Sequence, residues 1–340
     1  MAAPCRGALP GTIVARLRRE WARPTRHILA PFSSNGGTGS LVVAQAVGRR
    51  SNVVALVDPR SGRIVREIER LGPADSAGGT FDRSHAVYKV FRSETDLGDS
   101  VVDLWSRTTG TVRTVSVQHH DAHGRLIGND WEDPVIGDGH AAWVEGLGSD
   151  GLGQLVVLDL ASGRRAIVRR GHPGWFAILG HLVVWAESPR PGTVTSMRAI
   201  DLGTMAPARV PRALRTVKGG WGFVTDGTAI AWVGGVHGNK IYVARSRSTP
   251  GIPVTGDLGR GFSPPLALAG GVLGVTMSAQ GLVLVDTKTL RYTTLDEAYG
   301  ASAAGSDLLI GQFNAAKKLT DLPDPAPLTA ADLAGLRCGS

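Results

Sequence analysis

Cysteine is nearly absent from this chain. Two in 340 residues, Cys5 and Cys338, exclude a disulfide-rich scaffold and any zinc site built on paired cysteines. No run of 18 apolar residues occurs, which excludes a helical membrane span. The N-terminal stretch MAAPCRGALPGTIVARLRREW lacks the apolar core of a secretory leader, so the chain as written reads as cytoplasmic. Lysine is scarce too, and the net charge of +8 is carried mainly by arginines spread singly along the chain. The densest basic run, Arg164, Arg165, Arg169 and Arg170, has no interleaved aromatics, so nucleic acid is not the expected partner. Strong helix formers gather only at the two termini. Neither a G-x-S-x-G elbow nor an H-E-x-x-H or C-x-x-C motif is present, and no enzyme class is written in a short signature.

Glycine, in contrast, is abundant. The 46 glycines are about twice the average share and fall in GG, DG, SG and TG pairs between apolar runs, the punctuation of many tight turns. The runs repeat. NVVALVDPRSGRIVREI (52–68), SVVDLWSRTTGTVRTVSV (100–117), QLVVLDLASGRRAIVRR (154–170), SMRAIDLGTMAPARV (196–210) and GLVLVDTKTLRYTTL (281–295) each read as an apolar strand, a turn opened near an aspartate, and an alternating strand. The aspartates are Asp58, Asp103, Asp159, Asp201 and Asp286; KIYVARSRSTPGIPV (240–254) fills the remaining place with Arg245 where the aspartate would stand. The spacings are 45, 56, 42, 44 and 41 residues.

A second hairpin precedes each of these. WEDPVIGDGHAAWVEG (131–146), GWFAILGHLVVWAES (174–188), GWGFVTDGTAIAWVGG (220–235) and FSPPLALAGGVLGVTM (262–277) share a short apolar strand, a glycine turn and an apolar strand that often carries tryptophan. Fainter copies lie at 27–47, 81–91 and 299–313. Four short strands in roughly 40–45 residues make the blade of a β-propeller. The expected fold is all-β, a single propeller over 27–314 with four-stranded antiparallel blades, seven in number, six being the alternative. Residues 1–26 form an N-terminal extension whose TIVARLRREW (12–21) is expected to supply an outer strand that closes the ring. Residues 315–340 form a tail with a short helix opened by Thr329 and Asp332. The recurring tryptophans Trp131, Trp175, Trp221, Trp143, Trp185 and Trp232 are expected to pack blade on blade, and His85, His140 and His181 to sit at turns. A closed ring brings the chain ends together, so a Cys5–Cys338 disulfide and two free thiols both stay open.

The hairpins VLDLASGRRAIV, LVDPRSGRIVRE, GDGHAAWVEG and LGHLVVWAES resemble the repeats of TolB-like and quinoprotein-like bacterial β-propellers. That resemblance implies the fold over about 27–314 and, for TolB-like proteins, export to the cell envelope as the alternative compartment. The chain departs from other propeller families: no WD dipeptide ends its blades, which sets WD40-like proteins apart, and the sialidase Asp box and the full quinone-docking motif are missing.

Function must then come from a site. Connections between blades and between the two hairpins of one blade gather on one face, where Glu94, Asp96, Asp99, Asp150, Glu187 and His237 fall. The 56-residue spacing owes most of its excess to residues 117–130, VQHHDAHGRLIGND, a segment the repeat does not require. His119, His120, Asp121 and His123 there are the candidate catalytic residues. The same set, with Asp130, offers imidazole and carboxylate ligands to a divalent metal, though adjacent His119 and His120 point apart on an extended chain and no second ligand segment is evident. No cofactor is required by the sequence, and a divalent metal is the one candidate. The expected role is a monomeric, non-enzymatic binding module that uses this face for a protein, a small molecule or a saccharide. The alternative is a propeller hydrolase or lyase that uses the histidines with Asp121, Glu94 or Asp150. If 117–130 is only a solvated loop, purified protein carries no stoichiometric metal and a His120→Ala/His123→Ala variant keeps its ligand binding. One equivalent of metal, lost in that variant, would make the segment a metal site.

Overall fold

The computed structural model describes residues 4–22, 28–34, 41–48, 51–92, 99–118, 132–147, 152–188, 196–215, 217, 221–234, 240–254, 262–277, 281–312, 326–334 and 336–338. The chain opens with β1 (Cys5–Ala8) and α1 (Gly11–Trp21). The first repeat unit brings β2 (Ile28–Pro31), β3 (Ser33–Ser34), β4 (Val42–Gly48), β5 (Ser51–Asp58) and β6 (Arg63–Arg70). The second brings β7 (Ser76–Phe81), β8 (His85–Phe91), β9 (Ser100–Ser106) and β10 (Val112–Val117). Then come β11 (Val135–Gly137), β12 (His140–Gly146), β13 (Gly153–Asp159), the long β14 (Arg165–Leu179), β15 (Leu182–Ser188) and β16 (Ser196–Asp201). The fifth unit holds β17 (Trp221–Thr225), β18 (Ile230–Gly234), β19 (Lys240–Ala244) and β20 (Ile252–Pro253). The sixth holds β21 (Phe262–Ala269), β22 (Val272–Met277), β23 (Leu282–Asp286) and β24 (Arg291–Leu295). Last are β25 (Ala298–Ala304), β26 (Asp307–Gln312), β27 (Ala326–Leu328), α2 (Ala330–Leu333) and β28 (Arg337–Cys338).

Each unit is a meander of short antiparallel strands whose middle pair is buried on both faces. Val53 to Val57, Ala141 to Val144 and Leu282 to Val285 are all within 7% of complete burial. Uniform apolarity, not alternation, is what a strand between two packed layers requires. The aspartates set the turns. Asp58, Asp159, Asp201 and Asp286 accept hydrogen bonds from the amides of Arg60, Ala161, Thr204 and Lys288 respectively, at 2.9 Å each. A backbone bond then closes each turn four residues on, at Gly62, Gly163, Met205 and Leu290, all at positive φ. Asp58, Asp159 and Asp286 each bond an amide two residues on, the Asx-turn geometry, and Asp201 one three residues on, which explains why aspartate recurs there.

Asp103 does not occupy this place. The turn of the second unit opens at Ser106, where Gly110 N bonds Ser106 O at 2.8 Å, and Asp103 lies three residues earlier inside β9, only 2% exposed. Of the recurring tryptophans, Trp143, Trp185 and Trp232 are buried in the packed core, as the repeat requires.

Among the described residues the strands form six hydrogen-bonded sheets, the alternative number and not the seven favoured from the repeats. The difference lies in β14. Its Arg165–Gly171 part pairs with β13 and its His172–Leu179 part with β15, so the third and fourth units share one continuous strand and are counted as one six-stranded sheet. The passage between units takes no loop, only Gly171 at φ 143. Strand number also departs from four: the sheets hold between three and six strands, and two pairs, β3 with β7 and β1 with β24, are parallel.

The N-terminal segment closes the ring differently from the expected outer strand. Residues 11–21 are helical because Ile13, Leu17 and Trp21 recur every four residues, which puts them on one helical face. Leu17 and Trp21 are buried against Ala298, Ile310, Ala326 and Leu328, and Trp21 Nε1 donates to Ile310 O at 2.9 Å. Thus α1 packs against the three-stranded sheet β25–β26–β27. The outer-strand role falls to β1 instead, which lies between β24 and β28. The helix of the C-terminal tail forms as α2, with Thr329 and Asp332 in the expected capping box. At the other side of the last sheet, Ser302 Oγ donates to Pro31 O at 3.0 Å, and Ala304 and Leu309 join the core of the first unit.

Cys5 is disulfide-bonded, and Cys338, the other cysteine of the chain, lies in the strand paired with β1. Chain entropy sets an upper limit of roughly 5–6 kcal/mol on what a bond across so long a loop contributes. Reductant should therefore lower the Tm of the wild type, whereas Cys5→Ser should melt at the reduced value with or without reductant.

Candidate functional site

The second unit breaks the apolar repeat. Tyr88 stands opposite Asp103, where the third unit pairs Trp143 with Val156, and Lys89 follows it with 2% exposure. Successive side chains of a strand point to opposite faces, so Tyr88 and Asp103 look toward the first unit and Lys89 toward the third.

On the Lys89 side lies a cavity of about 440 Å³ between the second and third units. Lys89, Ser100, Ser116 and Gln118 line it from one side, and Glu145, Gln154 and Arg165 from the other. Glu145 is its anchor. It accepts from Ser116 Oγ at 2.6 Å, Trp143 Nε1 at 2.9 Å, Gln154 Nε2 at 2.7 Å and Arg165 Nη2 at 2.5 Å. Burial pushes this carboxyl up, but the Ser116, Gln154 and Trp143 donors and the Arg165 charge outweigh it and hold it below the ordinary glutamate range. Lys89 also faces the ring of Phe91, 5.7 Å from its centroid. The volume is that of a small-molecule pocket, and its polar groups are held in place before any ligand arrives.

On the Tyr88 side the carboxylates behave in the opposite way. Tyr88 OH donates to Glu69 Oε2 at 2.5 Å, tying the second unit to the first. Burial raises Glu69 and, more simply, Asp103, against which a Thr114 hydrogen bond and the Arg92 charge pull the other way. Oδ1 of Asp103 is buried with no hydrogen-bond partner. Burial and the Glu69 hydrogen bond raise Tyr88, so it stays a protonated donor.

Of the candidates from sequence, Glu94, Asp96, His119, His120, Asp121, His123, Asp150 and His237 lie outside the described residues. Glu187 is described and does not line the cavity: it is 9% exposed, pairs with Arg169 and accepts from Trp185 Nε1 at 2.9 Å. It repeats the Trp143–Glu145 pattern one unit on. Gln118, Gly146 and Leu147 line the cavity, and the chain leaves them directly for 119–131 and 148–151, the segments of the candidate histidines and Asp150. Among the described residues no group of three or more His, Cys, Asp or Glu is placed to hold a metal ion. Lys89, Glu145, Gln154 and Arg165 were not legible as a site from composition or motif. The available signal was Lys89 itself, a cation inside the apolar run HAVYKVF.

No family model matches the chain, and no curated protein matches it in sequence. Solved structures do match it over most of its length. An oligogalacturonate lyase in complex with manganese aligns with a TM-score of 0.58 at 13% identity, covering 85% of this chain and 88% of that one. An oligogalacturonate lyase from Vibrio parahaemolyticus gives 0.58 at 11%, over 85% and 89%. The β-propeller domain of the trilobed protease from Pyrococcus furiosus, which has an open velcro topology, gives 0.55 at 13%, over 89% and 98%. The fold class is therefore an all-β propeller. These likenesses carry the architecture implied by the TolB-like resemblance and not that narrower membership.

The two carboxylates make opposite predictions. Glu145, with its folded-state pKa depressed, contributes stability above its unfolded value that is lost as pH falls through the folded one. Glu145→Gln should cost roughly 1–3 kcal/mol at neutral pH and less in acid. Asp103, with its pKa raised, imposes a cost that appears as pH rises through the unfolded and then the folded value. Asp103→Asn should raise the Tm at neutral pH, with the gain gone by about pH 4. Thermal unfolding across pH reads both.

Proposed function

We propose that the protein is a propeller lyase or hydrolase acting on an acidic saccharide, with the substrate seated in the cleft between the second and third units. The observation that carries this reading is Lys89, a cation placed where the repeat would have an apolar residue, on the wall of a 440 Å³ cavity. A uronate-type carboxylate is complementary in charge to the Lys89 ammonium, and the hydroxyls and amides that line the same cavity suit sugar hydroxyls. The two oligogalacturonate lyases among the matching structures support the same substrate chemistry. Glu145 is ill suited as the base, because four donor groups already stabilise its charge. It positions Arg165 and Gln154. The base falls to the segment that follows Gln118, where His119, His120, Asp121 and His123 stand, and a divalent metal, if one takes part, would be held there. We infer a seven-bladed ring by taking the β11–β16 sheet as two blades, with residues 27–314 as its body.

A second reading, binding without turnover, rests on the lining groups being bonded to one another, as Ser100 Oγ is to Gln118 Oε1 at 2.7 Å. One experiment separates the two. Oligogalacturonate is titrated into wild type, Lys89→Met and His120→Ala/His123→Ala, and the formation of product is followed in parallel. The enzyme reading expects saturable binding weakened tenfold or more by Lys89→Met, with turnover abolished in the histidine variant while binding persists. Binding with no product in the wild type would leave a binding module. No binding at all would remove the acidic saccharide.

A further inference from the structure

A second cavity, of about 510 Å³, lies at the other end of the strands. The first cavity lies where β8 passes into β9 and β12 into β13. This one is walled by the tight hairpin turns of the last three units: Asp226 and Thr228 between β17 and β18, Gly270 and Gly271 between β21 and β22, Lys288 between β23 and β24, and Ser306 between β25 and β26. The end of β19 adds Arg245.

Arg245 is the anomaly. Its place in the repeat is that of the turn-capping aspartates: Trp232 pairs with Tyr242 three residues before it, as Trp143 pairs with Val156 before Asp159 and Trp185 with Arg198 before Asp201. Those aspartates bond the turn that follows them. In the fifth unit the turn is closed without position 245, because Ser246 N donates to Thr249 Oγ1 at 3.0 Å and Thr249 Oγ1 to Ser246 O at 3.0 Å. The hydroxyls have replaced the carboxylate, and a cation lines the cavity where an anion would otherwise stand.

The rest of the wall agrees in charge and rigidity. Lys288 is an exposed second cation at the rim. Among the described residues of the lining the one carboxylate, Asp226, already accepts from Thr228 N at 3.0 Å, Ala229 N at 2.9 Å and, across to the next unit, Gly271 N at 3.1 Å. The turn of the sixth unit touches that of the seventh so closely that a Cβ on Gly270 would sit 2.2 Å from Ser306 O. The turns of three units are thereby fixed to one another, and the cavity does not need to be assembled by a ligand.

We propose that this cavity is a binding site for a small oxyanion, a phosphate- or carboxylate-bearing molecule, with Arg245 and Lys288 as its charge partners and the Thr228 hydroxyl as a donor. The site is independent of the cleft between the second and third units. The test is calorimetric titration of the full chain with inorganic phosphate and, separately, with citrate. One saturable equivalent of either anion is expected, weakened tenfold or more by Arg245→Gln and again by Lys288→Gln. Arg60→Gln, an exposed arginine of the first unit's turn, should leave it unchanged. Arg245→Asp introduces the residue that caps the turns at Asp58, Asp159, Asp201 and Asp286, so it should still fold and should lose the anion. Phosphate alone binding, or citrate alone, would identify which oxyanion the site prefers and support it. Absence of saturable binding by both, or binding that survives in the Arg245→Gln/Lys288→Gln double variant, would overturn the proposal.

Discussion

A sheet that is apolar on both faces cannot face water on either. The middle strands here are of that kind, apart from Lys89 and Asp103 in the second unit, so each sheet is stable only between two others, and a row of such sheets has no stable end. Everything else in the molecule follows from the need to bend the row until its ends meet. Gly171 lets one unit run straight into the next, Ser302 reaches Pro31 across the closure, and α1 covers the last sheet. The polar side chains of interest all sit in the seams between sheets, because that packing leaves no other interior.

Much of this was legible in the sequence, because a repeat shows its rule by recurrence. The hairpins, the turn aspartates and the capping box at Thr329 could be read directly. What could not be read has specific physical causes. Asp103 continues the aspartate series in the sequence, yet the turn of its unit begins three residues later at Ser106, whose carbonyl accepts from Gly110 N. The segment 12–21 was expected to be a strand because the ring needed closing. Its own four-residue apolar spacing pointed to a helix, and local periodicity prevailed over that topological expectation. The unbroken β14 could not be foreseen, since Gly-His-Pro-Gly reads as a turn and here continues the strand.

The candidate site was half legible. The segment 117–130 was picked out as surplus to the repeat, and its described residues Val117 and Gln118 line the cavity. The groups that shape the cavity on the described residues, Lys89, Glu145 and Arg165, went unremarked because each is an ordinary residue in its own strand. Their meaning comes from the neighbouring unit, which sequence does not place. In a repeat fold the informative positions are those that depart from their copies, as Tyr88 opposite Asp103, Lys89 and Arg245 do. A departure buried in a seam has to be stabilised by the adjoining unit, and that requirement ties it to one place in the ring.

The position of β1 bears on how the molecule comes into being. This strand, the first of the chain, lies between β24 and β28, two of the last to be made. During synthesis it has no partner until β24 has been made, and the sheets made before then remain an open arc with a bare apolar edge. The protein therefore cannot mature unit by unit in the manner of an open solenoid. Its final step joins one end of the chain to the other, and the cysteine bond can form only after that step has brought the two ends together.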